Sequence, residues 1–221
     1  MMKRTIQSGF TLVEIAMVFV VIALIMGGIL KTSEMVTNAR LKKIQSTHVG
    51  LVAARDLYYD RYRNFPGDDS NATDHFTAYL GLPAMNGNGD GEVGDGDDWN
   101  LDESVSLTDG GQETLKFFAH LRAAGYIEGS SMDYRRPHHS LDYGEIGIQS
   151  GSLGLRKNVI VFADIDGDYI RILDTWHDDD DLTTGTIRAT AVADGMDFSD
   201  DPASVIVPED QYHLVWEMAG H

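Results

Sequence analysis

The chain contains no cysteine, which excludes a disulfide framework and every form of thiolate chemistry. Packing or a bound metal must stabilise its folded part instead. Catalytic signatures are missing as well. There is no Gly-x-Ser-x-Gly elbow and no phosphate loop. None of the histidines, His48, His75, His120, His138, His139, His177, His213 and His221, stands at an HExxH or other metalloprotease spacing. His177 lies beside four aspartates and hints at a metal hydrolase, but no second histidine stands at helical spacing from it. The chain reads as a building block and not as an enzyme.

Basic charge is scarce in the C-terminal part. Residues 64–221 hold eight Lys/Arg against thirty-one Asp/Glu, a balance of −23, whereas residues 1–63 hold nine against four, a balance of +5. A head so acidic repels nucleic acid and anionic membrane surfaces, and it attracts the basic stem of another copy. No internal repeat stands out. At 221 residues the chain is long enough for one domain with a real core once its N-terminal segment is set aside.

One long apolar run is present, FTLVEIAMVFVVIALIMGGIL from Phe10 to Leu30, and Glu14 is its one ionisable group. As a helix it would be about 30 Å long, the thickness of a bilayer's hydrocarbon core. Lys3 and Arg4 would suit a secretory signal peptide, but the run is too long for an h-region and no small-x-small cleavage site follows it. A carboxylate at membrane depth costs at least about 2.5 kcal/mol, so Glu14 is either functional, with a partner, or close enough to the membrane face to stay wet.

The basic leader, the string Gly9-Phe10-Thr11-Leu12-Val13-Glu14 and the apolar helix after it closely resemble the class III signal of type IV pilins and type II secretion pseudopilins. The resemblance implies cleavage by a prepilin peptidase after Gly9, on the cytoplasmic side, and N-methylation of the new first residue, Phe10. It also implies that Glu14 docks subunits in assembly. The Phe10 ammonium of one subunit and the Glu14 carboxylate of its neighbour would pair in low dielectric, setting register between subunits more than adding stability. YRNFPGDD, ending at Asp69, resembles the family's post-stem motif, and the likeness continues in Gly87–Gly91, His120–Gly125 and Leu173–Ala189. Where the family usually has Asp-Asp-Gly-x-Pro, this chain has Asp178-Asp179-Asp180-Asp181-Leu182, so the loop is expected to turn less tightly. The lack of cysteine departs from the many pilins whose heads carry a disulfide loop.

The expected organisation is a leader at 1–9, a transmembrane and assembly helix at 10–30, an amphipathic stem at 31–63 and an acidic head at 64–221. The stem segment has no proline, and Ile44, Leu51 and Tyr58 recur every seven residues with Thr47 and Ala54 between them, a helical stripe. Pro66 and Gly67 then end the helix. Gly27 and Gly28 could permit local melting or close helix approach. In the head, capping-box spacing of Asp109 and Gln112, with Gly125 as C-cap, predicts a helix from about Gln112 to Ala124. Its apolar side is Leu115, Phe118, Ala119 and Leu121 or Arg122. Strands are expected at 144–148, 158–163, 186–193 and 212–218, and Tyr169 to Leu173 suits either element. The fold class is α+β, a long N-terminal helix packed on a small globular head with an antiparallel sheet.

The tract NGNGDGEVGDGD places Asn86, Asn88, Asp90 and Asp97 at EF-hand ligand offsets around Gly91, and Glu92 would add its backbone carbonyl. It reads either as a calcium loop or as a solvated acidic loop, and Gly94 and Gly96 disfavour an exiting helix. Asp164, Asp166 and Asp168 form a second acidic cluster. Asp174, Asp178 and Asp179, with Asp180 and Asp181, form a third, and the family resemblance implies calcium in such C-terminal loops.

Two functions follow: a structural subunit of a pilus or pseudopilus, or a minor pilin whose acidic head binds a secreted substrate or a surface. Either implies prepilin peptidase, other pilin subunits and the inner-membrane assembly platform as partners. Either also implies a single-pass inner-membrane precursor with a periplasmic head.

Overall fold

The computed structural model describes residues 11–76, 86–94, 113–130, 133, 135–139, 141, 144–192, 202–203, 206–208 and 210–218. The leader, Gly9, Phe10, Asp97, Asp109 and Gln112 lie outside them. The fold is α+β. Helix α1, Leu12–Tyr62, runs without interruption through Gly27 and Gly28, and it is shared by two compact units, Met1–Lys42 and Lys43–His221.

In the first unit no described residue from Thr11 to Ile29 is buried, and this part of α1 is long and apolar enough to cross a membrane. Leu12, Phe19, Leu24 and Ile29 are all exposed.

The second unit opens with the stem residues of α1 from Lys43 onward. Ile44, Leu51, Ala54 and Tyr58 are buried as the seven-residue spacing predicts, and His48 and Arg55 complete the stripe. Both polar members tie the stem to the last strand. The His48 ring stacks on Trp216 at 4.0 Å, its Nε2 lies 3.2 Å from the Glu217 carbonyl, and Arg55 Nη1 donates to the Met218 carbonyl. Burial pushes His48 down to about 4 against the pull of that carbonyl, so the ring stays neutral and donates one hydrogen bond.

A short helix α2, Ala72–His75, follows the Pro66-Gly67 turn. Helix α3, Glu113–Ala123, ends as the sequence predicts. Gly125 takes φ +76, its N–H reaches Arg122 O, and the Tyr126 N–H reaches Leu121 O, which together make a Schellman cap. The one-sided apolar face is corrected, because every residue from Glu113 to Leu121 is buried, Lys116 and His120 included. Strands β1, Ile146–Ser152, and β2, Leu155–Asp166, are followed by α4, Gly167–His177, then β3, Ile187–Ala191, and β4, Gln211–Glu217. All pairings are antiparallel in the order β1-β2-β4-β3. The ambiguous stretch is helical because Ile170, Leu173 and Asp174 fall on one buried face.

Candidate metal centre

At the N-terminus of α1, Glu14 turns back on the first turn. Its Oε2 accepts from the Thr11 N–H at 2.8 Å and from Thr11 Oγ1 at 2.8 Å, while the Glu14 N–H points to Thr11 Oγ1 at 3.3 Å. Thr11-Leu12-Val13-Glu14 is therefore a capping box, an arrangement that satisfies amides left without helical partners. The sequence reading of Glu14 as an assembly residue did not include this intrachain role.

Among the described residues, two groups of three carboxylates bring ligand oxygens within 4.8 Å of one another: Asp68, Asp90 and Glu113, and Asp174, Asp178 and Asp179.

The first group explains the Asn86–Gly94 tract. Asp68 Oδ1 accepts from the N–H groups of Gly89 at 2.6 Å and Asp90 at 3.0 Å, and its Oδ2 accepts from Gly91 at 2.8 Å. Glu113 receives the N–H groups of Asn88 at 2.7 Å and Gly94 at 3.1 Å. The loop thus wraps its amides around two buried carboxylates supplied from outside it. Its own side chains make local turns, Asn88 Oδ1 accepting from the Asp90 N–H and Asp90 Oδ1 from the Glu92 N–H. Asn86 Oδ1 accepts from the Thr73 N–H and hydroxyl. Of the expected ligands, then, only Asp90 joins the carboxylate group. Asn86 and Asn88 are engaged elsewhere, Glu92 is exposed at the loop surface, and Asp97 lies outside the described residues. Burial raises the pKa of both Asp68 and Glu113, and the donated amides pull each back. Backbone donors already stabilise both charges, which leaves a cation less to offset.

The second group differs in one decisive respect. Asp174, at the end of α4, is buried, and its Oδ1 has no hydrogen-bond partner. Asp178 Oδ2 accepts from the N–H groups of Thr186 at 2.6 Å and Ile187 at 2.7 Å. Asp179 Oδ2 accepts from Thr184 Oγ1 at 2.6 Å, and its Oδ1 from the Asp181 N–H. Burial, reinforced by the carboxylates of Asp178 to Asp181, pushes Asp174 up from 3.8 to about 6. Folded Asp174 therefore holds its proton more tightly than the unfolded chain does. Its contribution favours folding below about pH 4 and is lost as pH rises through about 6. An all-oxygen donor set with one orphaned buried carboxylate oxygen fits a hard divalent cation.

Asp180 turns this loop without help from a glycine. Asp180 takes φ +64, the left-handed conformation that favours glycine, and Thr175 Oγ1 donates to its Oδ1 at 2.7 Å. Gly185 takes φ +67, and a Cβ there would lie 2.5 Å from Asp178 Cγ, so this glycine keeps the site open. Asp164, Asp166 and Asp168 do not converge. Asp164 sits at φ +54 beside a β2 irregularity, and the other two flank the start of α4, where negative charge is favourable.

Sequence reasoning missed Asp68, Asp69 and Glu113. Asp69, fully buried, takes Tyr58 Oη at 2.7 Å and His75 Nδ1 at 2.8 Å on Oδ2, and Asn64 Nδ2 and the Asn71 N–H, each at 2.9 Å, on Oδ1. The Pro66-Gly67-Asp68-Asp69 string reads as a boundary, yet its two carboxylates fasten the loop and the stem. Comparison with known proteins finds no match to the chain among family models, curated proteins or solved structures.

Proposed function

We propose that the chain is a structural subunit of a type IV pilus or a type II secretion pseudopilus, processed by prepilin peptidase and polymerised through its N-terminal helix. One observation carries the reading: the Gly9-to-Glu14 signal leads directly into a helix whose apolar residues through Ile29 are left exposed. Such a surface needs a bilayer first and neighbouring helices afterwards. The precursor then sits in the inner membrane with its head in the periplasm. Intact-mass analysis of the membrane-extracted protein should show loss of Met1 to Gly9 and one added methyl group on Phe10. A mature chain that keeps Lys3 and Arg4 would end the proposal.

Calcium is the cation this reading assigns to Asp174, Asp178 and Asp179. Extracellular sites of this kind work at about 0.1 to 1 mM. At a hundredfold excess over Kd, binding adds about 2.7 kcal/mol, or roughly 5 to 10 °C in melting temperature for a chain of this size. Full-length protein in detergent should show that shift at pH 7, keep it in Asp90→Ala and lose it in Asp179→Ala. The shift should shrink below about pH 6, because protons compete for Asp174. A response lost only in Asp90→Ala would move the site to the Asn86–Gly94 loop.

A further inference from the structure

The head is acidic almost throughout, yet three of the eight Lys/Arg after residue 63 line one cavity. It measures about 500 Å³ and is walled by Arg122, Arg135, Arg136, His138, Asp133 and Glu145, with Pro137. Arg136 pairs with Glu145 at 2.7 Å and Arg135 with Asp133 at 2.9 Å. Arg122 donates to the Asp133 carbonyl. These bonds hold the guanidinium groups in place, and the Arg135 side chain is still 70% exposed.

The cavity lies beyond one edge of the sheet. The Glu145 carbonyl receives the Ala163 N–H from β2, so the next N–H, of Ile146, points away from β2, and it meets Pro137 O at 2.8 Å. The Arg135–His138 segment therefore runs along the outer side of β1. The acidic loop occupies the opposite edge. The Thr186 carbonyl receives the Glu217 N–H from β4, so the Ile187 N–H points outward, and there it meets Asp178. Asp180 and Asp181 sit exposed in that loop, and each spends one carboxylate oxygen on a local threonine hydroxyl. About 14 Å of sheet separates the two edges.

We infer that the arginine-lined cavity at the β1 edge receives the Asp180-Asp181 loop from the β3 edge of a second copy of this chain. Charge complementarity selects this occupant. Arg135 already grips both oxygens of Asp133 and Arg136 holds Glu145, but three guanidinium groups against two carboxylates leave the described lining with one positive charge in excess, which suits the exposed Asp180-Asp181 pair. Because the two surfaces are different and face opposite ways, the contact is heterologous and propagates instead of closing as a two-fold dimer. The inference takes its purpose from the subunit reading above but is tested apart from it.

The absence of cysteine makes the test direct. Full-length protein carrying His138→Cys and Thr183→Cys together, oxidised mildly in detergent, should give a ladder of dimers, trimers and longer species on non-reducing gels. Each single variant should give dimers at most. Adding Arg135→Glu should lower the ladder about tenfold through like-charge repulsion, and Asp180→Arg placed in the same chain should restore it. A double variant that yields no species beyond those of the singles overturns the contact, as does a ladder indifferent to Arg135→Glu. Filaments sheared from cells separate the two ideas. Filaments without a ladder reject this surface alone, whereas a ladder without filaments keeps the surface and rejects the subunit reading.

Discussion

Asp69→Ala should destabilise the head by about 3 kcal/mol or more, lowering the melting temperature by roughly 6 to 12 °C. Asp69 is fully buried and accepts four hydrogen bonds, from Tyr58, Asn64, Asn71 and His75. Those partners belong to the stem, the turn that ends it and the segment through α2, so one carboxylate closes three pieces of chain on one another. Its loss leaves the Tyr58 hydroxyl buried without an acceptor, and such a group costs about 1 to 3 kcal/mol alone. Tyr58→Phe removes that donor without leaving it orphaned, so it should cost only about 1 kcal/mol. Asp69→Asn should fall between them, because its amide nitrogen must face at least one donor. Thermal melts of the full-length protein in detergent decide the point. A shift below about 2 °C for Asp69→Ala would mean that packing of the stem, and not this anchor, holds the junction.

The elements that could be read from sequence are those whose signal is local. The Ile44, Leu51 and Tyr58 stripe carries its own period, and the Gly125 cap needs nothing beyond its own turn. Strands rich in β-branched residues announced themselves to within a few positions of their ends. The β1–β2 hairpin turns at Leu153 and Gly154, with φ +49 and +81, without the Asn-Gly or Asp-Gly pair that usually marks such a turn. Leu153 is buried under the sheet, so packing overrides its conformational preference.

The acidic loops show why spacing alone misassigns ligands. Alternate Asn and Asp residues are what an EF-hand needs, but the same offset lets each side chain accept the backbone N–H two residues on. Asn88 and Asp90 do the latter. What decides between the two is Asp68 and Glu113, each about 20 residues away along the chain, and no local pattern reveals carboxylates arriving from that distance. At the C-terminal cluster the deciding feature is again tertiary. The sequence groups Asp174 with Asp178 and Asp179, but its burial comes only when α4 forms and sets it beside Ile170 and Leu173.

Glu14→Ala should leave membrane insertion and leader removal intact and should nearly abolish filaments. Insertion survives because removing a charge makes the helix more apolar. Two separate losses could then explain a lack of filaments, and the structure separates them. The capping box with Thr11 is worth about 0.5 to 2 kcal/mol and frays only the first turn when lost. On the proposed function, pairing with a neighbour's Phe10 ammonium would be the larger loss, because an unpaired buried charge costs about 3 kcal/mol or more, over a hundredfold in a subunit-addition equilibrium. Glu14→Gln distinguishes the two contributions. Glutamine at this position can still close the capping box, but it cannot neutralise an ammonium. If charge pairing drives assembly, Glu14→Gln should be as deficient in sheared-filament yield as Glu14→Ala. Near-normal filaments from Glu14→Gln would instead assign Glu14 to the helix terminus, and the search for the partner of Phe10 would have to move elsewhere.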